Sequence, residues 1–257
     1  AMPDPAAAEA ARLGARLIAD DLARLGITVD CLPVLDLPVS GADPVIGDRA
    51  YGAEPDRVAR LGRAACEGLL EGGVLPVLKH IPGHGRARVD SHYACPTVTA
   101  GHEELSRTDF APFRMLAAMP WAMTAHIVYR ALDPTAPATL SPRLIAEIVR
   151  GEIGFDGVLV SDDLSMRALG GAIGGGGLGE RARRALDAGC DLVLHCNGDP
   201  AEIEEIVAAV GPLSGAAAAR LARAEAVRRE AKRGAPEAFD RASAERRFEA
   251  LLAQVQA

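Results

Sequence analysis

The stretch Lys79-His80-Ile81-Pro82-Gly83-His84-Gly85-Arg86-Ala87-Arg88-Val89-Asp90-Ser91-His92 puts three imidazoles and a carboxylate after a short apolar run, Val74 to Leu78. Histidine titrates at roughly 6.5 when unperturbed, so a carboxylate two residues before one can tune it for proton transfer near neutral pH. Asp90 is placed to hold the His92 ring, fix its tautomer and stabilise its charged form, while Gly83 and Gly85 permit sharp turns around His84. Two other readings stay open at this point. One is a polar loop with capping histidines. The other is a zinc site, because His80, His84, His92 and Asp90 are ligand types that zinc accepts. Pro82 and Gly83 break the chain between His80 and His84, so no helical His-x-x-x-His face is expected.

Val158-Leu159-Val160-Ser161-Asp162-Asp163-Leu164-Ser165-Met166 runs a buried-strand pattern straight into two adjacent carboxylates. One of them could face a cleft as a nucleophile while its neighbour turns away to cap the next helix. Alternatively, both cap or bind cations. The glycine-rich segment Gly170 to Gly177 lacks the lysine and serine of a P-loop and does not directly follow a strand, so it reads as a flexible loop. Gly83-His84-Gly85 is only a near miss to a dinucleotide fingerprint, since Arg88 occupies the third glycine's place. Neither segment supports a nucleotide, and no cofactor is expected.

These residues need elements to aim them. Helical spacing runs from Ala7 to Leu25, with Asp4 as a cap and Pro5 at the first position. A strand over Ile27 to Leu35 then ends at Asp36. A helix from Pro55 to Glu71 stops at Gly72-Gly73 and is followed by a strand over Leu75 to Lys79. A helix over Ser106 to Met119 precedes a strand over Trp121 to His126. Ser141 caps a helix that Pro142 opens and that ends near Gly154, before a strand over Gly157 to Ser161. A helix over Leu178 to Ala188, a strand over Leu192 to His195 and a helix opened by Asp199-Pro200 complete the series. Such alternation implies parallel strands joined by helical crossovers, either a layered α/β sheet or an α/β barrel. Every strand ends in polar groups: Asp36, Lys79-His80, His126, Ser161-Asp162-Asp163, and His195 with Asn197. In a barrel that rim collects catalytic groups. From Ser214 onward the pattern predicts two helices, broken near Gly234-Ala235-Pro236, whose charges form a solvated face.

The chain has 257 residues, 49% apolar and 25% charged, enough for one large domain or two small ones. Its formal charge of −7 and scattered 28 basic residues leave no electrostatic footprint for nucleic acid or an anionic membrane. Five cysteines without a Cys-x-x-Cys pair fit reduced thiols and a cytoplasmic location. The N-terminal residues carry no export signal, and Ala1 before Met2 reads as a residue left by removal of a tag.

Taken together, these motifs resemble glycoside hydrolase family 3, and within it the bacterial cytoplasmic β-N-acetylglucosaminidases of cell-wall recycling. Lys79 to Gly85 with Asp90-Ser91-His92 resembles the family's substrate-binding Lys-His and its catalytic Asp-x-His loop. Ser161-Asp162-Asp163-Leu164-Ser165-Met166 is similar to the nucleophile motif, Ile46-Gly47-Asp48-Arg49-Ala50-Tyr51 to a segment whose arginine contacts sugar. Pro33-Val34-Leu35-Asp36 and Ala125-His126-Ile127-Val128-Tyr129 are similar to two strand ends.

What the resemblance implies is an (β/α)8 barrel of which only the last five strands are expected, with residues 214–257 as C-terminal helices of the same, N-terminally incomplete domain. Three strands and a segment like Asp-Gln-Glu-Gly-Gly-Arg-Val are expected upstream. It also implies retaining hydrolysis of terminal β-linked N-acetylglucosamine from peptidoglycan fragments, with Asp162 as nucleophile, His92 as acid/base oriented by Asp90, and Arg49, Lys79 and His80 on the sugar. No metal is expected. A catalytically silent truncated fragment, an oligomer with exchanged elements and an N-acetylglucosaminide phosphorylase are the alternatives.

Overall fold

The computed structural model describes residues 4–170, 176–213, 215–234 and 239–256. Five strands form one parallel sheet in chain order: β1 (Val29–Asp30), β2 (Leu75–Ile81), β4 (Trp121–Thr124), β6 (Val158–Asp163) and β7 (Leu192–Leu194). Each strand joins the same side of the growing sheet, as in a barrel wall. The sheet curls as it grows, because Val29 of one edge and Leu192 of the other pack against a single cluster of Leu75, Val158 and Ala224. It is a curled half-barrel, consistent with part of a (β/α)8 barrel.

Both faces are apolar, which is why the strands read as continuous hydrophobic runs. Val77, Met123 and Val160 line the inner face, while Leu78, Ala122 and Leu159 alternate to the outer one. Helices cover that outer face. α1 (Asp4–Arg24) packs on α2 (Pro55–Glu71) at very close range: a Cβ at Gly68 would lie 2.2 Å from the Arg12 carbonyl oxygen. Ala15, Ala19, Ala65, Leu69 and Val74 fill the rest of that contact.

Several elements depart from the sequence expectation, each for a local reason. The strand expected over Ile27 to Leu35 is only two residues long, because Pro33 offers no N–H to the ladder. Carbonyls still pair across this stretch, Leu32 and Pro33 accepting the Val77 and Lys79 N–H groups at 3.0 and 3.1 Å, and the Leu35 N–H donates to the Lys79 carbonyl at 2.7 Å. The helix expected over Ser106 to Met119 is two short helices, α3 (His102–Arg107) and α4 (Ala111–Met115). Between them the Asp109 side chain turns inward to Arg86, at 2.7 Å. After β4 the chain leaves the sheet, and β5 (Val128–Tyr129) pairs instead with β3 (Thr97–Val98), a parallel pair that sequence spacing did not predict.

Ser141 does cap α5, accepting the Leu144 N–H at 3.0 Å, and α5 (Pro142–Leu144) continues as a π-helix through Ile145–Glu152. Then follow α6 (Leu178–Ala188) and α7 (Pro200–Ala209), which Asp199 caps. Residues 171–175 of the glycine-rich segment and 235–238 of the predicted break lie outside the described residues.

The two late helices, α8 (Gly215–Gly234) and α9 (Arg241–Gln256), are not simply solvated. α8 closes the bottom of the half-barrel, seating Leu221 and Ala224 against the inner face. Its Arg220 reaches Asp191 at 2.9 Å and Asp156 at 3.0 Å. Asp191 also accepts from Arg150 at 3.0 Å and from the Leu159 N–H at 2.9 Å. α9 lies along α1, with Arg247 on Glu9 and Arg241 on Asp20 and Asp21. Such exposed pairs contribute little each, under about 1 kcal/mol. Among the described residues no helix is long and apolar enough to cross a membrane.

Candidate active site

The C-terminal ends of the strands surround a cavity of about 240 Å³. Arg49, Lys79, His80, His92 and Asp162 all line it, so five of the six residues singled out from sequence meet at one place. The sixth, Asp90, stands behind His92. A larger cavity, about 440 Å³, lies at the opposite end of the sheet under α8, where its one carboxylate, Asp156, is already paired with Arg220 and Arg223.

Asp162 ends β6. Its Oδ1 accepts the Asp163 N–H at 2.8 Å, and its Oδ2 lies 4.0 Å from His80 Nε2. Burial acts to raise its pKa, but the combined pull of His80, His126, the Asp163 N–H and Lys79 outweighs it. The carboxyl is held below its usual range and is an anion at neutral pH. Asp163 points elsewhere: it accepts from the Ser165 hydroxyl at 2.5 Å and from the Ser165 and Cys196 N–H groups. One carboxylate of the pair thus faces the cavity while the other ties down the following turn.

His92 presents Nδ1 to Asp90 Oδ1 at 2.7 Å, and its own N–H reaches the same oxygen at 2.8 Å. With Nδ1–H donated to Asp90, Nε2 is the nitrogen left free for a proton on a ligand. The loop is fastened to the turn after β6, since the Arg167 and Ala168 N–H groups donate to the His92 and Ser91 carbonyls at 3.3 and 3.2 Å. The His92 side chain is 61% exposed.

A buried carboxylate, Asp36, organises the rest. Its Oδ2 lies 2.7 Å from His80 Nδ1, and its Oδ1 accepts the N–H groups of His80 and His84 at 3.1 and 2.6 Å. Burial alone would raise the Asp36 pKa, yet the two rings and the His84 N–H hold it below the ordinary value. His84 is neutral, lowered chiefly by burial, and its Nε2 faces Ser91 Oγ at 3.0 Å. His126 is likewise lowered by burial; its Nε2 donates to the Asp163 carbonyl at 3.0 Å, leaving Nδ1 to accept from Thr139. The three histidines of the loop therefore have three different partners, Asp36, Ser91 and Asp90. Among the described residues no three His, Cys, Asp or Glu side chains converge as metal ligands.

Gly85 is required where it stands, because a Cβ there would lie 1.9 Å from the Leu37 carbonyl oxygen. Arg49 is held by its own loop, donating to the Val45 carbonyl at 2.6 Å. Sequence reasoning noted Asp36 only as the end of a strand and missed Cys31 and Cys196 as cavity residues.

The profile of the glycosyl hydrolase family 3 N terminal domain matches residues 1–229. A protein named beta-hexosaminidase from Alkalilimnicola ehrlichii is 44% identical over 183 residues, 70% of this chain and 51% of that protein. Another from Neisseria meningitidis serogroup B is 45% identical over 194 residues, 75% of this chain and 52% of its own length. The chain thus spans about half the length of these curated relatives. Among solved structures, the family 3 β-N-acetylglucosaminidase of a Paenibacillus species superposes with a TM-score of 0.78 at 34% identity, over 97% of this chain and 51% of that one. NagZ of Neisseria gonorrhoeae, in complex with N-trifluoroacetyl-D-glucosamine, gives 0.78 at 36% identity, over 95% and 70%.

Proposed function

The chain belongs to glycoside hydrolase family 3, and on that premise we propose that it removes terminal β-linked N-acetylglucosamine from peptidoglycan fragments through a covalent glycosyl-enzyme, in a reducing cytoplasm. The observation that carries this reading is the single cavity onto which Asp162, His92, Lys79, His80 and Arg49 all open. The names of the relatives, beta-hexosaminidase and β-N-acetylglucosaminidase, supply the sugar.

In this proposal Asp162, ionised and with Oδ2 free, attacks the anomeric carbon. His92, oriented by Asp90, gives the proton from Nε2 to the departing oxygen and then takes one from the incoming water. Lys79, His80 and Arg49 hold sugar hydroxyls and convert binding energy into orientation. Asp36 holds His80 in place. Residues 214–257 belong to the same domain. The test is turnover of an aryl N-acetylglucosaminide, followed by mass spectrometry after a slow fluorinated substrate. An adduct on Asp162 is expected, and unchanged turnover by Asp162→Asn would remove it from the role.

A second reading has its own observation. Among the described residues the sheet has five strands with unpaired edges at β1 and β7, and His92 is well exposed. On that reading the chain keeps the site residues but is catalytically silent, and its edges are satisfied by another copy through exchanged strands or helices. Sugar binding without turnover favours it, whereas a monomer in sedimentation argues against the exchanged oligomer. A neutral imidazole repels phosphate less than a carboxylate would, so adding phosphate to the assay separates hydrolase from phosphorylase.

A further inference from the structure

Cys31 directly follows β1, and Cys196 follows β7 by two residues, so the two thiols belong to opposite edges of the sheet. In hydrogen-bonding order these edges are the most distant members of the sheet. Both cysteines are exposed, and both line the same cavity of about 240 Å³. Curling is what brings them there. It also seats Val29 of one edge with Leu192 and Leu194 of the other on one cluster, Val77, Met123 and Val160.

The surroundings of the two thiols set their resting state. Burial, Asp163, Asp162 and then Cys31 push the Cys196 thiol up, with Lys79 opposing. Burial, followed by Asp30 and Asp162, likewise raises Cys31 against Lys79. At neutral pH the resting state is therefore a pair of protonated thiols, and reaction quickens as the pH rises.

We propose that Cys31 and Cys196 form a two-thiol site that reacts with small-molecule disulfides and closes to a Cys31–Cys196 disulfide, clasping the two sheet edges across the cavity. In the first step the Cys196 thiolate attacks one sulfur of the small disulfide, forming a mixed disulfide and releasing one small thiol. Cys31, deprotonated, then attacks the Cys196 sulfur and expels the second small thiol. Two S–H bonds of the protein are replaced by one S–S bond. The small disulfide is reduced to two thiols, which carry away both protons.

The experiment treats the dilute protein with oxidised glutathione at mildly alkaline pH, then maps non-reduced peptides by mass spectrometry. Cys66 and Cys190 are buried and Cys95 is half-buried, so they serve as internal references. The expected result is a monomer lighter by two hydrogens, with five free thiols reduced to three and one linked peptide joining Cys31 to Cys196. Cys196→Ser abolishes the link, and Cys95→Ser leaves it. Stable mixed disulfides on Cys31 and Cys196 without a link would overturn the proposal. So would a link through Cys95, a disulfide-joined dimer, or no oxidation at all.

Discussion

His80 directs its Nδ1 at the wholly buried carboxylate of Asp36, 2.7 Å away. The same carboxylate accepts two backbone N–H groups, so one side chain fixes both the end of β2 and the turn into His84. Asp36→Ala would strand three donors in the interior. Each buried unsatisfied donor costs about 1–3 kcal/mol. At about 2–4 °C per kcal/mol for a chain of this size, the melting midpoint should fall by roughly 10 °C. Thermal unfolding by circular dichroism reads this directly, and an unchanged midpoint would remove Asp36 as the organiser.

Asp162→Asn keeps the shape of the side chain and removes its charge. Turnover of an aryl N-acetylglucosaminide should drop by about a thousandfold or more, the scale on which covalent nucleophiles act. Sugar binding, followed by ligand-observed NMR, should persist.

Replacing His92 by Ala should separate substrates by leaving group. General acid catalysis is worth about 10²–10⁴-fold. A natural alkoxide leaving group should lose that much in the first step, and an activated nitrophenol should lose little. Equal losses for both would remove His92 as the proton donor.

Stability should fall steadily as the pH drops below neutral. His84 and His126 are held below their ordinary value by burial first, so the unfolded chain takes up their protons earlier, starting near about 6.5. Asp36 and Asp162 are lowered against burial by neighbouring rings, so their contribution is full above about 3.9 and is lost as the pH falls through their folded values. Both pairs push in one direction. Urea midpoints measured between neutral and acid pH should decline throughout, and a midpoint that rises on acidification would contradict this.

Under the barrel, Asp191→Ala should be more harmful than either arginine replacement. The carboxylate is buried and serves Arg150, Arg220 and the Leu159 N–H at once. A loss of about 3–5 kcal/mol is expected, against a smaller one for Arg220→Ala. Denaturant titration of the two variants ranks them.

How much the sequence disclosed depended on how local each cause was. Asp162 and Asp163 divide their duties as the adjacent strand end suggests, because a period of two sends neighbours to opposite sides. Lys79 and His80 reach the cavity from the end of β2, and His92 from the loop that follows it. Asp36 was harder to read: its importance lies in donors 44 and 48 positions away. The break between α3 and α4 came from Asp109 reaching Arg86, which no helical spacing encodes. β3 and β5, at two residues each, are too short to show a period. The late helices looked solvated because their partners, Glu9, Asp20, Asp156 and Asp191, lie far back in the chain.

α1 and α9 stand side by side, with the Phe248 ring 3.1 Å from where a Cβ would sit on Gly14. On a ribosome delivering about 5–20 residues per second, tens of seconds separate the emergence of these two partners. During that interval the Gly14 side of α1 has no cover. A nascent-chain holdase binding there would release its client only when α9 emerges, so truncations that stop within α9 should be retained by such a chaperone.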